Sequence, residues 1–337
     1  MRTGDFVAWM LHDARNVDEY AFAMGALSHY VSDVWGHPSI NAAVGLEYPN
    51  LRAAFGPVVS YEENPEAHLK TEFSFDVLQV AKKRYTSKQY HDFIGFKVSE
   101  ELLERAFEDT YGVKLDELLH FDDLTIATYR FAVSRVIPEM TQVAIATRKD
   151  KIQFEKDDAA RKEFLYHLSR ADYERDFGSQ YHKPGVFARI LAFFLRLMPK
   201  FGSFKSLEYR DPTAQTEDLY FKGMDGVVEQ YHRMIQKVNA GDLKFPNRNL
   251  DTGAVLQPAQ YQLADKTYAQ LARRIAHNHF ALTTPALKAN ILQYFASGDG
   301  HGGTKPHEWR KTQSALAQLK AQPTKPEAPH LRPEATK

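Results

Sequence analysis

At 337 residues, with 43 Lys+Arg against 43 Asp+Glu, the chain suffices for one large domain or two ordinary ones and carries no formal net charge. No global basic field points to nucleic acid or to an anionic membrane surface. The chain contains no cysteine, which excludes disulfides, thiol catalysis and cysteine-ligated zinc while leaving the compartment open.

The pattern is helical almost throughout, and strand-like alternation is scarce. Apolar residues at three- and four-residue spacing predict helices over 4–14, 17–36, 65–83, 99–109, 122–147, 158–172, 185–198, 215–239, 261–278, 285–296 and 307–321. The fold class is therefore all-α. The first segment, MRTGDFVAWMLHDARN, is no signal peptide, because Asp5, His12 and Asp13 interrupt it; it reads as a helix with His12 and Asp13 on its wet face.

The second helix contains MGALSHYVSDVWGHP, residues 24–38, in which His29, Asp33 and His37 recur at intervals of four. Residues four apart lie about 6 Å apart along the axis and about 40° apart around it, so His29 and Asp33 can grip one ion. His29 and His37 lie about 12 Å apart, too far for one ion whose bonds are near 2 Å. His37 is either idle or serves a second metal. Because it precedes Pro38, it is expected where the helix ends and the chain turns. YPN at 48–50 and ENP at 63–65 read as turns.

The next helix opens with Asn64 as N-cap and Pro65 at the first helical position. It carries His68 and Glu72 four apart, away from the stripe of Phe73, Val77 and Val80. His37, His68 and Glu72 would form a His2Glu set with room for a water or substrate. Each pair by itself usually means an ion pair or a satisfied half-buried histidine and not a metal site. Two such pairs, with a further histidine beside them, put a metal site on an equal footing with that reading.

Further along, GVFARILAFFLRLMPKFG (185–202) is cut by Arg189 and Arg196 and falls short of a membrane-spanning helix. A core-packed helix with one wet edge is the preferred reading, and docking at a membrane interface is the alternative. Dense charge near residue 150 marks a boundary between a domain at 1–150 and a helical extension of unassigned role at 151–321. SGDGHGGTKP (297–306) reads as a flexible loop, and the proline-rich tail, 322–337, as disordered. Asp122-Asp123, Asp157-Asp158, His277, His279, His301 and His307 read as surface or helix-end residues, and Tyr209-Arg210-Asp211-Pro212 as a turn. His12-Asp13 lacks the other ligands an HD-type phosphohydrolase needs.

AFAMGALSHYVSDVWGHP, followed by AHLKTE, resembles the motifs of the zinc-dependent phospholipase C family and its zinc nuclease relatives, over roughly residues 17–85. The resemblance implies an all-helical, multi-helical domain with a three-zinc cluster that hydrolyses phosphoesters. His29 and Asp33 would bind the paired zincs, with Asp33 bridging them. His37, His68 and Glu72 would hold the remaining zinc. The partner would be a phosphoester, with phospholipid and peripheral membrane contact within the family's range. Two departures matter. His37 follows Asp33 more closely than in the bacterial phospholipases, which loosens the substrate class. The family's N-terminal tryptophan and early His and Asp ligands have no counterpart before His29, since Trp9 lies inside a helix.

The resulting expectation is an N-terminally incomplete phospholipase C-like domain, with its general base upstream of Met1, that holds at most about one zinc tightly and is weakly active or inactive. The alternatives are a single-strand nuclease-like phosphodiesterase, or a non-catalytic helical scaffold with a vestigial site. Family members are usually periplasmic or secreted.

Overall fold

The computed structural model describes residues 2–81, 99–116, 210–255, 258–259, 261–296 and 305–323. Among them every regular element is helical: α1 (Thr3–Asp13), α2 (Val17–Glu47), α3 (Pro49–Phe55), α4 (Pro65–Ala81), α5 (Glu100–Tyr111), α6 (Ala214–Asn239), α7 (Gln262–His277), α8 (Pro285–Ala296) and α9 (Pro306–Ala321). The expected helices at 122–147, 158–172 and 185–198, the Asp122 and Asp157 pairs, His301, the boundary near 150, most of the 297–306 loop and the tail beyond 323 lie outside the described residues.

The chain forms two compact units: Met1–Ser39, Ser99–Asp122 and Lys222–Lys337 in the first, Ile40–Val98 and Asp123–Phe221 in the second. In the first, α2 buries Ala23, Leu27, Tyr30, Val31 and Val34 against Val7, Met10, Leu102, Val227 and Met234. These α2 positions recur at helical spacing, which is why this stripe faces inward. A further cluster in the same unit joins α7, α8 and α9 through Ala272, Ile275, Leu287, Ile291, Ala315 and Leu319. In the second unit, Ile40, Val44, Val59, Ala67 and Phe75 close a smaller core.

Capping explains where the two site-bearing helices begin. Asn16 Oδ1 accepts the Glu19 amide at 2.9 Å, while Glu19 Oε2 accepts the Arg15 amide at 2.8 Å, a reciprocal arrangement close to a capping box. At α4, Asn64 Oδ1 accepts the Ala67 amide at 2.8 Å, so Asn64 and Pro65 serve as the sequence predicts. The YPN segment is not a plain turn, because Pro49 opens the short helix α3.

The end of α2 differs from expectation. Pro38 does not stop it; the helix continues to Glu47 with proline inside. An interior proline leaves the carbonyl four residues earlier without its amide donor, and here that carbonyl belongs to Val34. Gly253 covers it: a Cβ built at Gly253 would lie 2.4 Å from Val34 O and 3.3 Å from Pro38 Cγ. Only a glycine can pack this closely against the turn that precedes the proline.

Asp13 also departs from its expected place on a wet face, since its side chain is only 13% exposed and accepts from His12 Nδ1 at 2.9 Å. Partial desolvation and the Asp13 carboxylate push the Asp109 carboxyl up to about 6. A carboxyl raised in the folded state stabilises the protein below its unfolded value near 4 and loses that contribution as pH rises through about 6. Asp109→Asn should therefore flatten the stability profile between about pH 4 and pH 6 and gain about 1 kcal/mol at pH 7, the figure being held down by the exposure of Asp109. Urea unfolding across that range checks it. Lower stability of the variant at pH 7 would contradict it.

Candidate metal centre

Along α2 the four-residue spacing winds about 40° per step, so the row that starts at His29 turns gradually towards the core. His29 is 80% exposed, Asp33 and His37 are largely covered, and Asn41, one step further, is 1% exposed. His29 Nε2 lies 3.5 Å from Asp33 Oδ2, and His37 Nε2 lies 3.7 Å from Asp33 Oδ1. Asp33 is flanked by both histidines, in agreement with the spacing.

Each inner histidine has one ring nitrogen committed. His37 Nδ1 donates to the Leu250 carbonyl at 2.7 Å. His68, 2% exposed, donates from Nδ1 to Asn41 Oδ1 at 2.9 Å. Both acceptors are oxygens without hydrogen, so Nδ1 is the donor in each pair, and each Nε2 faces a carboxylate, Asp33 for His37 and Glu72 for His68. Glu72 Oε1 lies 3.3 Å from His68 Nε2, and the Tyr61 ring meets the His68 ring edge-on at 5.4 Å.

The Leu250 carbonyl belongs to a loop whose position is built from α1 and α2. Thr3 Oγ1 donates to Arg248 O at 2.7 Å, and Asp5 and Asn247 exchange two hydrogen bonds. The Tyr30 hydroxyl donates to Pro246 O. A Cβ at Gly4 would lie 2.5 Å from Pro246 O, so only glycine lets this strand of chain approach α1. Asn249 Oδ1 then accepts the Asp251 amide at 2.7 Å and the Thr252 amide at 3.2 Å, an Asx turn. Gly253, at φ +67°, closes the loop with its amide on Asn249 O.

The loop delivers a carboxylate that the sequence reading passed over. Asp251 is 8% exposed, and it joins His37 and His68 as a candidate metal-binding group whose ligand atoms all lie within 4.8 Å of one another. Two of the five expected ligands, His37 and His68, are in this group. His29, Asp33 and Glu72 stand beside them through the pairs just described. Asp251 lies far from the motif in sequence, and DTG at 251–253 shows only turn character. The donor set suits zinc, which takes imidazole nitrogen and carboxylate oxygen.

No curated protein and no solved structure matches the chain. Residues 1–119 match the model of a family described as zinc dependent phospholipase C.

Proposed function

We propose that the chain is a zinc-dependent phosphoester hydrolase of phospholipase C type, a reading supported by the match of residues 1–119 to the zinc dependent phospholipase C family model. In this reading His37, His68 and Asp251 hold one ion with Glu72 beside them, and His29 and Asp33 serve an adjoining position. The observation that carries it is the convergence of His37, His68 and the buried Asp251 carboxylate, whose ligand atoms lie within 4.8 Å of one another, with each histidine oriented by a hydrogen bond from Nδ1 to an oxygen.

Zinc held there supplies Lewis-acid polarisation of a phosphoester, and two neutral imidazoles with one carboxylate leave it net positive towards a phosphate anion. The residues themselves do the positioning. Leu250 O and Asn41 Oδ1 fix the two rings and raise their basicity. Burial of His68 and Asp251 keeps water from competing for those ligand atoms. Phospholipid is the substrate this reading favours, and no described helix is long and apolar enough to cross a membrane.

Metal analysis after exhaustive dialysis should find zinc retained by the wild-type chain and lost at least tenfold more readily from Asp251→Asn. Hydrolysis of a soluble choline phosphodiester should fall on chelation and return with zinc. Cleavage of single-stranded DNA in place of that ester would move the reading to the nuclease branch. A wild-type chain that retains no zinc would remove the hydrolase reading altogether.

A further inference from the structure

The zero net charge of the chain conceals a segregation of sign. Across the described residues 261–296 and 305–323, which hold α7, α8 and α9, eight Lys and Arg stand against two acids, Asp265 and Glu308. Asp265 is 0% exposed and accepts the Tyr294 hydroxyl at 2.7 Å and the Ala259 amide at 3.1 Å, so it does not meet the cations at the surface. Lys266, Lys305, Arg310, Lys311 and Lys320 are exposed. Arg273 donates to Thr312 Oγ1 at 2.8 Å, and Lys288 Nζ to the carbonyls of Lys320 and Gln322 at 3.1 and 2.7 Å. These bonds hold the side chains without cancelling their charge. Soluble surfaces ordinarily intersperse both signs; this one does not.

Packing gathers these cations. Tyr268, early in α7, and Trp309, early in α9, both meet Phe295 at the end of α8, while Lys288 near the start of α8 reaches the end of α9. α8 therefore runs against its two neighbours, and α7 and α9 point the same way with Arg273 level with Thr312. Seven residues earlier on each, about two turns away and on the same face, stand Lys266 and Lys305, the latter at the N-cap of α9. Arg310 and Lys311 carry the charge over the outer side of α9, away from the buried Thr312, Ala315 and Leu319. We propose that this α7–α9 face binds the phosphate backbone of double-stranded nucleic acid, without regard to sequence. Its uniform sign calls for a polyanion. None of the large apolar side chains exposed among the described residues lies on α7, α8 or α9. A protein partner needs such anchors, and a single strand needs exposed rings on which its bases stack. Contacts to a duplex backbone need only cations, and α9, about 24 Å long, spans roughly seven base-pair steps.

The test is fluorescence anisotropy of the full chain with a labelled DNA duplex of about 20 base pairs, in chelator so that binding is read without turnover. The wild type should bind, and its affinity should fall about 100-fold or more between roughly 50 and 200 mM salt. Lys266→Gln/Arg310→Gln/Lys311→Gln keeps good helix formers at all three positions; it should bind at least tenfold more weakly at the lower salt and with a salt slope smaller by about 2–3. Arg52→Gln/Lys222→Gln/Arg233→Gln removes the same charge elsewhere and should bind as the wild type does. A wild-type chain that leaves the duplex unbound overturns the proposal. Equal weakening by the two triple variants overturns it as well, since binding would then follow net charge and not this face. Tighter binding of a single strand than of the duplex, or binding of polyglutamate in place of the duplex, would assign the face to another partner and overturn it too.

Discussion

Replacing His68 with alanine is expected to weaken zinc binding by at least ~100-fold and to lower stability even without metal. Loss of an oriented first ligand exceeds the ~10–100-fold typical of losing a supporting hydrogen bond. The imidazole is 2% exposed and bonded to Asn41, so its removal leaves a cavity and takes one hydrogen bond from the buried Asn41 side chain. Together these cost about 2–4 kcal/mol. His29→Ala makes the internal contrast, since an 80% exposed ring should change stability by no more than ~0.5 kcal/mol. Zinc titration with thermal melts, run with and without chelator, checks both. Unchanged zinc content and melting in His68→Ala would mean that the site is vestigial.

Gly253→Ala should destabilise the protein by about 2–4 kcal/mol and weaken zinc binding although residue 253 is no ligand. Its φ is +67°, which costs an alanine about 1–2 kcal/mol. The new Cβ would also press within 2.4 Å of Val34 O, and the backbone must shift to relieve that. Asp251 lies two residues away in the same turn, with its amide on Asn249, so the shift carries the carboxylate with it. Gly25→Ala is the control: a Cβ there meets nothing within 4 Å, and in mid-helix it should stabilise by about 0.5–1 kcal/mol. Urea unfolding and zinc titration separate the two substitutions. Equal zinc affinity in Gly253→Ala and wild type would show that the loop does not set the site.

Much of the helical framework was legible because its signals are local. Asn64 and Pro65 announce the start of α4 by their own hydrogen-bonding chemistry, and the four-residue spacing of His29, Asp33 and His37 places them on one row of α2 whatever surrounds it. Pro38 misleads for the complementary reason. Its local preference is to end the helix, yet α2 runs on to Glu47, and the turns beyond the proline bury Ile40, Ala43 and Val44 in a core that offsets the lost hydrogen bond.

By itself the sequence determined the all-helical class, the two His-containing pairs and the family motif, since each depends on residues within a few turns of one another. Only the tertiary structure decided how the two rings are oriented, because that depends on Leu250 and Asn41 as acceptors for their Nδ1 atoms. Only it brought in Asp251, through Thr3, Asp5 and Tyr30, which hold the 245–249 segment in place. Helical periodicity repeats every 3.6 residues and carries no information about a partner some two hundred residues away; that pairing exists only once the chain has packed.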